Sequence, residues 1–333
     1  MKKELIINLG LLIGSLLIFF FAIEFVLRIT GLQSAKPNPP KIFQQSNFAD
    51  ISYELIPNLK NEKAYRGLVS TNSLGFRSPE IESGKPIVAI LGDSITFGYG
   101  INDDQTLSAY MSNLNSEYNF LNTAAPGYNL EMEAATYREK VRHLDPAVIV
   151  LVFYFNDLTG TIGVIDDLGI LRSNDWNPSQ RDCRPIDKGL LGMIPGKCWL
   201  DEHSAFYKAF KKVINLRYSK KHIAKLKEES DANLLEDEVT DVQLVNYSAQ
   251  LDSFVALMPE DQKRIFVIWP DHLMHTSLPK LIAIAEERGF KAIDLYETFE
   301  NKVPTLGWDT VHPNPEAIEG AAKIIVESIN LNE

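Results

Sequence analysis

Pro86-Ile87-Val88-Ala89-Ile90-Leu91-Gly92-Asp93-Ser94-Ile95-Thr96-Phe97-Gly98 is the stretch on which the reading of this chain turns. An apolar run of the kind that fills a strand buried on both faces stops at a small polar triplet, and helix-compatible residues follow. Such a strand belongs in a parallel sheet covered by helices on both sides, and the carboxyl edge of an open parallel sheet is where ligands bind. Gly92 permits a tight exit, and Ser94 stands at that edge with a hydroxyl able to attack a carbonyl. The helix after it would aim its first N–H groups at the same place. A serine at a helix start also serves as a plain N-cap, so the triplet alone assigns no reaction.

The same pattern recurs along the chain. Apolar runs predict strands at 86–91, 118–122, 146–154, 264–269 and 290–295. Helical spacing appears at Leu107, Met111 and Leu114, and more loosely at Ala135, Val141 and Leu144; a last helix fits 315–329, with Pro315 near its start. The fold class expected is therefore α/β, a three-layer α/β/α domain with a five-stranded parallel sheet over residues 85–333. Alternation fails at about 158–245, which reads as an insertion: a Gly/Pro/Cys-rich loop to residue 200, then a helical region from His203. Within it, residues 210–227 (FKKVINLRYSKKHIAKLK) are basic and 228–241 (EESDANLLEDEVTD) acidic. Such runs are ordinarily solvated faces; the functional alternatives are a lid, or a surface meeting an anionic polymer or lipid headgroups.

Composition bounds the function. With 333 residues, 45% hydrophobic and 23% charged, the chain has ordinary globular composition. Its net charge of −11 argues against nucleic acid, which needs concentrated positive surface. From Leu5 to Ile23, 19 residues carry no charge, enough at about 1.5 Å per residue to span a hydrocarbon core of about 30 Å. That run is longer than a signal-peptide core and lacks a small-x-small cleavage site, so residues 1–30 read as an uncleaved transmembrane anchor. Lys2 and Lys3 before it, and Arg28, Lys36 and Lys41 after it, leave no clear positive-inside bias. Long domains translocate largely regardless of charge. The expectation is a single-pass protein of the inner membrane with its catalytic domain extracytoplasmic. Residues 31–84 read as a stalk, with three prolines over 31–50, and an irregular lead-in whose segment 71–77 (TNSLGFR) suggests a loop or hairpin. Two cysteines, Cys183 and Cys198, fit a disulfide in an oxidising compartment.

Near the other end of the chain stands Asp309-Thr310-Val311-His312-Pro313. A carboxylate three residues before a histidine can hold the imidazole in the tautomer whose other nitrogen accepts a serine proton, which supplies nucleophile, base and orienter. Taken alone, the same segment also reads as a loop capping the final helix. Gly127, after the second strand, can present a bare backbone N–H, and Asn156, after the third, can donate from its amide. With the Ser94 N–H these make three donors for a developing oxyanion.

In this order, Gly92-Asp93-Ser94, Gly127, Asn156-Asp157 and Asp309-x-x-His312 resemble four blocks of the GDSL or SGNH hydrolase family, spread over residues 86–313. The resemblance implies a flavodoxin-like α/β/α domain, serine ester chemistry without metal or cofactor, and oxyanion donors from Ser94, Gly127 and Asn156. The family's third block reads Gly-x-Asn-Asp, whereas Tyr154 stands here in the glycine position, altering the pocket beside the donor. Asp93, Tyr154, His272 and His275 are further cleft candidates. No Gly-x-Ser-x-Gly elbow occurs, which disfavours an α/β-hydrolase. Asp271, His272 and His275 have spacings that suit a metal, but equally a loop opening a helix.

The reading expected from sequence is an anchored serine esterase. Ser94 attacks, His312 moves the proton, Asp309 orients His312, and water resolves the acyl-enzyme. Its substrate is an ester-bearing glycan, with O-acetyl first, or a small acyl ester. The alternatives are a polysaccharide O-acetyltransferase with the same site, a lipase or thioesterase with the insertion as lid, and a non-catalytic glycan-binding or assembly protein.

Overall fold

The computed structural model describes residues 2–34, 40–158, 163–166, 170–173, 193–231, 239–270, 277–300 and 302–329. The chain divides into two compact units, one drawn from Met1–Asn38 and Trp176–His222, the other from Pro39–Asp175 and Ile223–Glu333.

Helix α1 (Lys2–Ile29) opens the first unit. It is long and apolar enough to cross a bilayer, with mean hydropathy 2.6 over an 18-residue window and none of that window buried.

In the second unit, strands β1 (Phe43–Gln45) and β2 (Tyr53–Leu55) pair antiparallel, as do β3 (Glu62–Ala64) and β4 (Gly67–Val69). Then come β5 (Ile87–Leu91), α2 (Ser94–Phe97), α3 (Leu107–Leu114), β6 (Asn119–Asn122), α4 (Leu130–Thr136) and β7 (Val148–Phe153). A short antiparallel pair, β8 (Gly163–Ile165) and β9 (Leu171–Ser173), follows. Helix α5 (Lys197–His203) and the start of α6 (Ala205–Asp231) return to the first unit. There the Glu24 carboxylate of α1 accepts the backbone N–H groups of Ala205 at 2.9 Å and Phe206 at 2.8 Å. That caps two of the donors which the start of α6 leaves without helical partners. The second unit resumes with α7 (Asp241–Val255), β10 (Lys263–Ile268), α8 (Leu278–Glu286), β11 (Lys291–Asp294), α9 (Tyr296–Phe299) and α10 (Pro315–Ser328).

The central sheet runs β11-β10-β7-β5-β6, parallel throughout. This is the flavodoxin-like order, and strand alternation builds a core on each face. Ala89, Leu91, Ile149, Leu151 and Phe266 face α4, α7 and α8. Val88, Ile90, Val150, Val152 and Val267 face α3 and α10. The fold is thus a three-layer α/β/α domain. The order in which successive strands are added reverses between β5 and β7, so the carboxyl ends of those two strands flank the topological switch point.

Two expectations change. The stalk over 31–50 does not extend to its predicted end: Ile42, Phe43, Ile51 and Tyr53 are buried with Phe97, Tyr128 and Met132 in a third core cluster. The lead-in is part of the second unit, because strands of three residues, too short to show periodicity, bury their side chains against distant helices. The insertion opens with the β8–β9 pair, in contact with β1 and β2, where a loop was expected. Cys198 is disulfide-bonded; Cys183, the sequence's only other cysteine, lies outside the described residues.

Candidate active site

The turn after β5 is built by side-chain and backbone sterics. Gly92 has φ 154°, and a Cβ there would meet Thr96 Oγ1 at 2.2 Å, so glycine is required. Asp93 Oδ1 accepts the Ile95 N–H at 2.8 Å and caps α2, a single turn. The Ser94 carbonyl accepts the N–H groups of Gly98 at 3.2 Å and Tyr99 at 3.0 Å, which ties Tyr99 to the serine turn.

The loop after α9 brings up the other partners. Thr305 bridges to Pro313, and the Leu306 N–H donates to the His312 carbonyl at 3.0 Å. Asn314, not Asp309, caps α10, accepting the Ala317 N–H at 3.0 Å. Asp309 Oδ1 accepts the N–H groups of Val311 at 2.7 Å and His312 at 3.1 Å, and its Oδ2 lies 2.8 Å from His312 Nδ1. His312 Nε2 lies 3.0 Å from Ser94 Oγ. A carboxylate can only accept, so the proton sits on Nδ1 and Nε2 is left to accept from the serine. Burial alone would raise the Asp309 pKa, but the His312 bond, the Val311 N–H and the nearby imidazole charge together hold it down to about 2. Asp309 is therefore ionised throughout the neutral range.

Ser94 and His312 open on a cleft of about 350 Å³ whose walls include Gly127, Tyr53, Tyr65 and Tyr99. Gly127, with φ 83°, is held beside Tyr53, whose hydroxyl donates to the Pro126 carbonyl. Sequence reading missed the aromatic wall. The Tyr99 ring stacks on the His312 imidazole at 4.0 Å and 20°, and Tyr65 stacks on Tyr99 at 4.2 Å and 30°. Burial and the Asp309 charge raise the Tyr99 hydroxyl pKa, and Arg66 draws it partly back. Nothing in the local sequence around Tyr65 announces that its ring would reach Tyr99.

Two expected cleft residues, Asp93 and Tyr154, are not among those lining the cleft. Asp93 is buried beneath the serine turn, where Asn156 hydrogen-bonds its carboxyl. Asn156, expected as an oxyanion donor, is engaged with Asp93 and is not among the cleft-lining residues. Tyr154 packs on the α3/α10 side because it continues the Val150, Val152 parity of β7. His272, His275 and Asp271 lie outside the described residues. Among the described residues no group of three or more His, Cys, Asp or Glu side chains is placed to hold a metal ion.

No family model matches the chain, and no curated protein matches it. Similar solved structures include a member of the lipolytic G-D-S-L family from Veillonella parvula DSM 2008, 14% identical, covering 74% of this chain and 98% of that one, TM-score 0.42. An acetyl xylan esterase from Geobacillus stearothermophilus is 18% identical over 76% of this chain and 98% of that one, TM-score 0.39. A psychrotrophic esterase from Pseudoalteromonas sp. is 10% identical over 74% and 97%, TM-score 0.40. At these identities and TM-scores the likeness carries no weight by itself; the fold rests on the strand order and register of this chain.

Beneath the site lies a group of buried acids. Asp93, Glu133 and Asp157 are 1%, 1% and 4% exposed. Asp157 Oδ2 accepts the Tyr154 N–H at 3.1 Å, but its Oδ1 and both Glu133 carboxyl oxygens have no hydrogen-bond partner among the described residues. Burial first, then mutual repulsion, raises the Glu133 and Asp157 pKa values well above the usual range. The signal for Glu133 was in the sequence, an acid amid the core-facing residues of α4. The folded protein holds a proton there that the unfolded chain releases above about pH 4.3, so stability falls as pH rises from that value toward the folded pKa. Glu133→Gln, neutral and nearly isosteric, removes that cost. Thermal unfolding is expected to show the variant gaining on wild type between pH 5 and pH 8, by roughly 1.4 kcal/mol for each unit over which the native proton is retained. An equal difference at both pH values would refute the protonated state.

Proposed function

We propose that this chain is a membrane-anchored serine esterase of the SGNH type. The observation that supports it most is the hydrogen-bonded run Ser94–His312–Asp309, 3.0 and 2.8 Å long, on the edge of a cleft. Ser94 Oγ attacks the acyl carbon as His312 Nε2 takes its proton; the imidazolium is stabilised by Asp309 and then protonates the departing alkoxide. Water, deprotonated by the same nitrogen, releases the acid. The oxyanion would meet the N–H groups of Ser94 and Gly127, each worth about 3 kcal/mol when aligned. A bond from Asn156 would come from the second N–H of the amide that also holds Asp93.

The substrate proposed is an O-acetyl ester on an envelope or exported glycan. Tyrosine walls offer flat apolar faces with polar edges, which suit sugar rings. Helix α1 as an anchor, with the domain beyond the inner membrane, would keep the site near such material, and a disulfide-bonded Cys198 fits an oxidising compartment. The test is release of free acid from esters of increasing acyl length, and from an O-acetylated polysaccharide with and without added sugar acceptor. Acetyl should be cleaved fastest and acetate should appear without acceptor. Preference for long chains would favour a lipase, and acetate transferred to the acceptor in place of water would favour an acetyltransferase.

A further inference from the structure

Strands β3 and β4 are joined by only Tyr65 and Arg66, with Ala64 paired to Gly67. Both joining residues have positive φ, 51° and 73°. A two-residue hairpin turn of this kind is normally Asn-Gly or Asp-Gly, and bulky side chains there are strained. Such strain survives where the surrounding structure enforces it, and it gathers at ligand sites. Here the enforcement is visible. The buried Arg77 guanidinium donates to the carbonyls of Leu68 on β4 and of Phe97, Gly98 and Ile101, and pairs with Asp103 at 2.9 Å. This clamps the hairpin to the segment carrying Tyr99.

The strained pair has two outputs. Tyr65 completes the stack on Tyr99 and His312. Arg66 is exposed, with its guanidinium carbon 4.5 Å from the centroid of the Trp308 ring. Trp308 in turn lies against Tyr99, the ring that stacks on His312 in the cleft wall. Arg172, the other arginine near the cleft, is paired with Asp166 at 3.0 Å, whereas Arg66 has no carboxylate within ion-pair distance among the described residues. A guanidinium with no carboxylate partner among the described residues is thus held next to the Tyr99 wall of the cleft, in a chain of net charge −11.

We propose that Arg66 is a specificity residue that binds a carboxylate on the alcohol part of the ester, so that the substrate is an acylated acidic sugar. The inference rests on the esterase reading above. His312 hands its proton to the leaving oxygen, so groups on its side of the cleft meet the alcohol, and a planar guanidinium fixed over an indole presents its N–H fork to a carboxylate.

The experiment compares kcat/KM for an O-acetylated glucuronic acid glycoside and for the matching glucuronamide, which replaces the carboxylate with a neutral group of nearly the same shape, using the full-length protein. Wild type should prefer the acid by about tenfold or more. Arg66→Gln should cut that acid-to-amide ratio about tenfold, and Arg66→Lys by less, because ammonium keeps charge without the fork. Arg66→Gly, which relieves the positive φ, should lose the preference while its Tm rises, so loss of selectivity cannot be put down to misfolding. No acid preference in wild type, or an unchanged ratio in Arg66→Gln, overturns the inference. So does Ser94-dependent cleavage of p-nitrophenyl acetate with neither sugar ester cleaved, a result that leaves the esterase reading standing. Full activity in Ser94→Ala overturns both.

Discussion

Ser94→Ala is expected to lower kcat for p-nitrophenyl acetate by roughly 10⁶-fold, the scale seen when a triad nucleophile is removed. The size follows from the geometry, because His312 Nε2 has a hydroxyl 3.0 Å away to deprotonate and nothing replaces it in the variant. The fold should be nearly untouched. Among the described residues the Ser94 side chain bonds only to His312 and, at 3.4 Å, to Asp93, whereas the bonds that shape the turn use its backbone carbonyl. A Tm close to wild type together with the lost turnover is the combined result; retained turnover would remove Ser94 from the chemistry.

Asp309→Asn should cost roughly 10⁴-fold in kcat at pH 7 to 8, by a different route. The amide oxygen can keep the Val311 and His312 N–H bonds that Asp309 Oδ1 now accepts, so the loop retains its shape. The amide NH₂, facing Nδ1, donates where the carboxylate accepted. It thereby forces the imidazole proton onto Nε2, which can then no longer take the serine proton. Because the wild-type carboxyl titrates at about 2, the wild-type rate should show no Asp309 titration across the neutral range. Comparison of pH–rate profiles checks this: a variant whose rate falls only a few-fold would mean that Asp309 merely shapes the loop.

The sheet was legible because its central strands are runs of apolar, often β-branched residues buried on both faces. The observed strands Ile87–Leu91, Asn119–Asn122, Val148–Phe153, Lys263–Ile268 and Lys291–Asp294 lie within a residue or two of the expected bounds. The residues proposed as the triad were legible as types, Ser94 at a strand end and Asp309 and His312 three apart before the last helix. What brings Ser94 to His312, 218 positions apart, is the packing of α10 against the sheet. The lead-in was not legible, because Ile42 and Tyr53 are stabilised by partners far along the chain, Phe97 and Tyr128 among them. Tyr154 was matched to a glycine in a motif; counting the alternation from Val150 and Val152 puts it with the core packed against α3 and α10. Arg77 looked like one residue of a turn, and only the folded chain reveals the four carbonyls it gathers.

The most direct measurement is peptide mass spectrometry of the full-length protein after treatment with a fluorophosphonate, which reacts only with an activated hydroxyl. One phosphonyl group on Ser94, appearing in step with loss of ester hydrolysis and far more slowly in Asp309→Asn, is the predicted result. An enzyme inactivated by the reagent at a different serine, or one fully active and unmodified at Ser94, would contradict it.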